Sequence, residues 1–468
     1  MTTDHSVRSI ADLASSIKSG ELSPVELTSA FLDRIAELNP GLHAYNTVTG
    51  EQALNQAAVA ETEIAAGNYR GSLHGIPMGL KDLLYTKHIK TTVSSLIHRD
   101  FIPDSNATVV NKLAAAGAVF LGKTNMTEYA LWGYHPDLKA PVNPWHKDHW
   151  PGVSSSGSGV ATAAHLCCAA IGTDTGGSIR GPSAANGVVG IKPTYGRVSR
   201  HNAFPLSESL DHIGPMANSV EDAALVLNAI AGFDIQDPTS LDIPVPDFTA
   251  GIGVEIKGLR IGMDSNYNAQ VDPEVGTALQ AVAAVLSRLG AEIIDVDVSG
   301  IEEGADRWID LTALEAAMHH REFYPSRADD YGPVFRSVLE HGTSLSGEDA
   351  SLAYTARGRV KQILAKTFLD VDMLLCPSLA GPAPSLEEFP PQLLLPMEVV
   401  GSSTLYQAPF NFSGSPTISV PMGFSTFGLP LSLQLVGRHC EEALLIQAAH
   451  AYENATEWHK QIAPGAQL

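Results

Sequence analysis

Cysteine is scarce. The four in 468 residues, Cys167, Cys168, Cys376 and Cys440, are too few and too unevenly spaced for a disulfide framework or a paired-cysteine metal site. The adjacent Cys167-Cys168 lies in an apolar run, where a free cysteine behaves as a small hydrophobe. Basic charge is also short: 29 Lys and Arg stand against 51 Asp and Glu, for a net charge of −22. That deficit excludes a nucleic-acid surface and attraction to an anionic membrane. No stretch reaches the roughly 18 consecutive apolar residues that a membrane helix requires. The N-terminus shows no basic segment followed by an apolar one, so the cytoplasm is the expected compartment. His146 and His149 have no third ligand nearby and no HExxH occurs, so no metal is expected. No internal repeat of about 20 to 50 residues is visible.

Glycine, by contrast, is plentiful, with 41 residues, and hydrophobic residues make up 44% of the chain. This composition fits a globular enzyme with a large core. The glycines concentrate in Pro151 to Arg200. Two small-residue clusters, Gly152 to Gly159 and Gly172 to Ser178, flank an apolar run from Val160 to Ala170. A linker would not carry that apolar run, nor Asp174, Arg180, Lys192 and Arg197 at intervals. A phosphate-binding loop needs a Lys-Ser or Lys-Thr pair after its last glycine, and no lysine lies between Lys147 and Lys192. Glycine lets the backbone turn sharply and lets other groups come close. Two such turns at the ends of a buried element bring hydroxyls and bare amides to one place. Attack on a carbonyl needs both.

The rest of the chain reads as helices alternating with strands, which argues an α/β fold. Two helices are expected over residues 6 to 38. The second starts at Ser23-Pro24-Val25-Glu26 and stops at Asn39-Pro40. A strand near 44–48 and a helix near 50–66 follow. Further helices are expected at 105–116, from Ser219, at 272–289 and at 441–455, and strands at 118–121, 259–263, 291–296, 372–377, 417–420 and 431–435. Residues 303 to 369 read as wholly helical, and 382 to 396 as an irregular proline-rich segment. Lys81, in Ile76-Pro77-Met78-Gly79-Leu80-Lys81-Asp82, is locally ambiguous: it fits a solvent-facing lysine at a strand end or a buried base.

The Gly/Ser cluster, Gly172-Thr173-Asp174-Thr175-Gly176-Gly177-Ser178-Ile179-Arg180 and Gly190-Ile191-Lys192-Pro193-Thr194-Tyr195-Gly196-Arg197 together resemble the amidase signature family of serine hydrolases. Leu73 to Asp82, Lys123 to Glu128, Asn143-Pro144-Trp145 and Asn411 to Gly437 extend the resemblance. It implies one amidase domain over 1–468, with a large mixed β-sheet between layers of helices. Within it, 1–70 would be a helical scaffold that often serves dimerisation, so a homodimer is an expectation. Residues 71–232 would be the catalytic core, and 300–370 a variable helical region near the pocket. The resemblance also implies a Ser–cisSer–Lys triad: Ser178 as nucleophile, Ser154 as bridge and Lys81 as base. Ser154 lies 24 residues before Ser178, the family's separation. Ser155 and Ser156 would then be structural or helix-capping hydroxyls. The backbone amides of Thr175, Gly176, Gly177 and Ser178 would hold the oxyanion. Tyr129, Ala130, Leu131 and Trp132 would line the acyl side of the pocket. Asp174 and Arg180 would hold the loop.

One departure is Val153, where many members have a second glycine, and its β-branched side chain would narrow the pocket. The implied reaction is hydrolysis of the C–N bond of a small or aryl carboxamide or anilide through an acyl-enzyme. Water is the only co-substrate and no cofactor is needed. Two alternatives share the machinery: a carbamate hydrolase of urethanase type, and the amidase subunit of a tRNA-dependent amidotransferase. Lys192 to Arg200 and Ser209-Leu210-Asp211-His212-Ile213-Gly214-Pro215 resemble the latter closely, but Gly181 and Ser183 stand where Gln and Ala are expected.

Overall fold

A computed structural model describes residues 5–390, 392 and 403–467. The chain opens with two amphipathic helices. α1 (Ile10–Ser19) buries Ile10, Leu13, Ala14 and Ile17, one face at helical spacing. Ser9 caps it by accepting the Asp12 amide, and Gly20 in the left-handed region ends it. α2 (Pro24–Leu42) starts at Ser23, whose hydroxyl accepts the Val25 and Glu26 amides. It runs through Pro40 instead of stopping before it. Pro40 falls in the last turn, where its missing N–H forfeits a single bond, and the chain leaves the helix at His43.

Helix and strand then alternate: β1 (Tyr45–Val48), α3 (Gly50–Ala65), β2 (Pro77–Lys81), α4 (Thr108–Ala115), β3 (Val119–Thr124) and α5 (Ser156–Ala163). Next come β4 (Ala169–Asp174), α6 (Arg180–Asn186), β5 (Val189–Lys192), β6 (His212–Ala217) and α7 (Val220–Ile230). The distal part adds β7 (Arg260–Met263), α8 (Pro273–Arg288), β8 (Glu292–Asp295), α9 (Glu303–Asp306), α10 (Trp308–His320), α11 (Pro333–Ser344) and α12 (Gly347–Asp370). It closes with β9 (Met373–Pro377), α13 (Ala408–Ser413), β10 (Thr417–Phe424), β11 (Pro430–Gly437) and α14 (Glu442–Asn454).

Among the described residues these strands form one mixed sheet of eleven, in the order β1-β3-β2-β4-β6-β5-β10-β11-β9-β7-β8. β2 runs parallel to β3 and β4, and β7 parallel to β8 and β9. The other pairings are antiparallel. Every residue of β2 to β6 is buried, as in a sheet covered on both faces. This is the expected α/β architecture of a large mixed sheet between helices. The stretch read as wholly helical is instead four α-helices, α9 to α12, with turns and a short 3-10 helix (Ala328–Asp330) over 321–332. Pro325 and Pro333 cannot sit inside a helix, and Pro333 instead opens α11. Of the proline-rich segment, residue 391 and residues 393–396 lie outside the described residues. Ahead of them, Ser385 pairs with His149 in an isolated bridge.

Candidate active site

Lys81 is the last residue of β2, and its side chain is completely buried. Its Nζ lies 2.7 Å from Ser154 Oγ, 2.8 Å from Ser155 Oγ and 2.8 Å from Thr173 Oγ1. Burial disfavours the ammonium and lowers the Lys81 pKa to about 7, although the Asp174 and Asp211 carboxylates pull it upward. Local sequence left two readings of this lysine, and the structure places it in the core.

Ser154 and Ser155 precede α5, and the Val153–Ser154 peptide is cis. Ser155 donates to the Thr173 carbonyl at 3.1 Å and accepts the Thr173 amide at 3.1 Å. Its side chain therefore holds the strand end and does not cap α5. Ser156 Oγ accepts the Tyr134 hydroxyl at 2.6 Å. Gly152 turns at φ 96°, where a Cβ would lie 2.4 Å from the Pro182 Cα. Only glycine fits there.

The loop after β4 carries Ser178 and is clamped from below. The Asp174 carboxylate accepts the Gly177 amide at 2.8 Å and the Ile179 amide at 3.1 Å. It also pairs with Arg180 through Nε at 3.0 Å and Nη2 at 2.9 Å. Burial alone would raise the Asp174 pKa. Arg180, Lys192 and the Asn411 amide outweigh that and hold it well below the usual carboxylate range. The clamp narrows the expected set of oxyanion donors. Gly177 N–H is already committed to Asp174, whereas the amides of Thr175, Gly176 and Ser178 donate no hydrogen bond among the described residues. Gly177, at φ 118°, has no room for a Cβ beside Gln407.

Ser178 opens into a cavity of about 280 Å³. Ala130, Leu131 and Trp132 line it, with Val153 beside them. Trp150, Trp308 and Phe389 complete its apolar wall, and no charged side chain lines it among the described residues. Tyr129 is the exception to the expected lining. Its ring packs 4.3 Å from His320 and 4.9 Å from Phe335, and its hydroxyl meets His98 Nδ1 at 2.8 Å. Tyr129 and Ala130 both adopt positive φ, and this turn sends the Tyr129 ring away from the cavity. A second, polar cavity of about 240 Å³ lies beyond Thr173 and Thr175, with Asp211 in its wall. Ser178 does not reach it.

Thr173, Trp150, Trp308 and Gln407 are among the site residues that escaped the sequence reading. Thr173 lies inside the motif, one strand period from Thr175, and the alternation of a strand could have flagged it. Trp150, Trp308 and Gln407 have no local signal. They reach the site from a loop, from α10 and from the start of α13.

This fold, with its buried lysine and serines beside an apolar cavity, defines an α/β amidohydrolase. The Amidase family model matches residues 26–446, and the chain belongs to the amidase signature family. It is 42% identical over 455 residues to AmiD of Mycobacterium tuberculosis (strain ATCC 25618 / H37Rv), covering 97% of this chain and 95% of that one. It is 39% identical over 469 residues to a glutamyl-tRNA(Gln) amidotransferase subunit from Thermosynechococcus vestitus, covering 94% and 96%. Among solved structures, a bacterial aryl acylamidase of the same family superposes with a TM-score of 0.88 at 28% identity, over 98% of this chain and 99% of that one.

Proposed function

We propose that this amidase cleaves amides of uncharged, apolar carboxylic acids, aryl acids among them, through Ser178, Ser154 and Lys81. One observation carries the reading: fully buried Lys81 contacts Ser154 at 2.7 Å, beside a serine that opens into a cavity with no charged side chain in its wall among the described residues. Neutral Lys81 has two N–H groups and one lone pair. The Ser155 hydroxyl already donates its hydrogen bond to the Thr173 carbonyl, so toward Lys81 it accepts. Thr173 takes the second N–H, and the lone pair is left for the Ser154 hydroxyl.

Ser178 Oγ attacks the amide carbonyl while its proton passes to Ser154 and the Ser154 proton passes to Lys81. The Gly176 and Ser178 amides, with Thr175, hold the negative oxygen. The same relay in reverse protonates the nitrogen as the C–N bond breaks, so an amine departs and an acyl-enzyme remains. Water then attacks the ester, gives a proton to the relay and releases the acid, with Ser178 reprotonated.

A second reading has support in the 39% identity to the amidotransferase protein of Thermosynechococcus vestitus. The cavity argues against it. Glutamine carries an ammonium and a carboxylate, and no charged side chain among the described residues faces them.

The test is product release from phenylacetamide, 4-nitroacetanilide, a matched aryl carbamate and glutamine, by the purified chain and by Ser178→Ala. Turnover of the aryl amides is expected to exceed that of glutamine by about 10²-fold or more, and to vanish in Ser178→Ala. Activity that survives Ser178→Ala would sink the triad. A preference for glutamine, or for the carbamate, would replace the proposed substrate class.

A further inference from the structure

The amide that is to receive the oxyanion belongs to a peptide unit with two ends. Gly176 N–H and the Thr175 carbonyl share one rigid trans plane and point in opposite directions. The Thr175 oxygen accepts a hydrogen bond from Trp308 Nε1 at 3.0 Å in a buried setting. The Nε1 edge of the indole also packs close against the same unit, since a Cβ on Gly176 would come within 2.4 Å of Trp308 Nε1 and Cε2. A second contact fixes Thr175 from the side, where its hydroxyl donates to Asp211 Oδ1 at 2.5 Å. The plane is therefore held at its oxygen, at its α-carbon and by Thr175's side chain. Its N–H is left directed away from the indole and without a partner among the described residues.

We propose that Trp308 is a positioning residue of the oxyanion site: its N–H sets the orientation of the Thr175–Gly176 peptide and so aims the Gly176 amide at the developing charge. This rests on the Ser178 reading above. Two effects follow from the contact. Orientation is fixed before reaction, so no reorganisation is needed as charge develops. A hydrogen bond to the carbonyl also polarises the same amide, which makes its N–H a stronger donor. Trp308 lies in α10, within the variable helical region expected near the pocket, and it also lines the cavity. One side chain thus touches the acyl group and the backbone that stabilises its transition state. An aryl acyl group packed on the indole would press it toward the Thr175 carbonyl, so a well-fitting substrate would hold its own oxyanion site in place.

The test compares wild type with Trp308→Phe, and with a chain carrying 3-benzothienylalanine at position 308. That analogue keeps the bicyclic shape and replaces the N–H by sulfur. The readouts are kcat and KM for phenylacetamide, and affinity for benzyl trifluoromethyl ketone, which adds to a serine and places an oxyanion at the site. Losing a donor outright typically costs about 10²–10³ in kcat, so a donor merely left unaimed is expected to cost about 10- to 100-fold. Both variants should lose that factor in kcat and in ketone affinity, with KM within about threefold of wild type. A purely structural wall would shift KM and leave kcat alone. Wild-type kcat and ketone affinity in the benzothienyl chain would overturn the proposal, as would a loss confined to KM. Should wild type form no ketone adduct, or Ser178→Ala keep its activity, the Ser178 reading fails and takes this inference with it. An adduct formed equally well by all three chains overturns the inference alone.

Discussion

At the scale of single residues, the proposed relay depends on keeping a lysine neutral. Lys81 is buried with three hydroxyls and, among the described residues, no carboxylate in contact, and its pKa falls to about 7. Only the neutral form can take the Ser154 proton. Below that pKa the ammonium dominates and the relay has no acceptor. The expected profile of log kcat/KM for phenylacetamide therefore climbs with a slope of about one up to pH ~7 and then levels. A flat profile between about pH 5.5 and 8 would mean that Lys81 is not the titrating base. Lys81, Ser154 and Ser178 each sit in a local motif, so the sequence could point to them one by one. It could not supply the partners. Ser155 and Thr173 become ligands of Lys81 only when β2, β4 and the start of α5 come together. For Tyr129, two positive-φ residues reversed a direction that sequence position does not encode.

At the scale of elements, the loop that bears Ser178 is held by a buried ion pair. Arg180 is completely buried and shares two hydrogen bonds with Asp174, and it also reaches the Gln434 and Asn411 side chains. Removing one partner leaves a bare buried charge, which costs about 3–5 kcal/mol. Arg180→Ala should lower the urea midpoint accordingly and abolish turnover. Arg180→Lys should rescue little, because an ammonium cannot bridge two carboxylate oxygens and two amide oxygens at once. A midpoint unchanged in Arg180→Ala would show that the clamp is dispensable. Most elements were legible because each carries its own periodicity and caps, as in α1 and α2. The exceptions have physical causes. Pro40 is tolerated because it falls where the ladder is already ending. The helical region is interrupted where Pro325 and Pro333 intervene. The short α13 carries no amphipathic pattern, since all of its residues are buried.

At the scale of the molecule, one more ionic feature ties distant parts together. Asp222 in α7 accepts the Ile10 amide of α1, and Glu453 in α14 accepts the Val220 amide with both oxygens. Burial, chiefly, raises Asp222 to about 7 and Glu453 to about 8, and Glu221 adds repulsion to both. A carboxyl whose folded pKa lies above its unfolded value stabilises the fold while protonated, and loses that contribution as pH rises through the folded pKa. Stability toward urea should therefore decline between about pH 5 and 8. The double variant Asp222→Asn, Glu453→Gln keeps one acceptor oxygen at each position and removes the charges. It should be more stable than wild type by upward of ~1 kcal/mol at pH 8, with the gain shrinking toward pH 5. An equal difference at both pH values would refute the linkage.

The sequence by itself determined the α/β class, the family, most helices and strands, and the positions of the three side chains proposed to react. Each of these is written in short-range patterns: hydrophobic periodicity, caps, and glycine turns that only one backbone path satisfies. The tertiary structure decided what surrounds those side chains. It set the burial that lowers the Lys81 pKa and committed the Gly177 amide to Asp174. It turned Tyr129 out of the cavity, and it brought Trp308 to a carbonyl 133 residues away in the chain. Such contacts join segments with no shared local pattern. They exist only once the sheet has fixed which strand ends lie side by side.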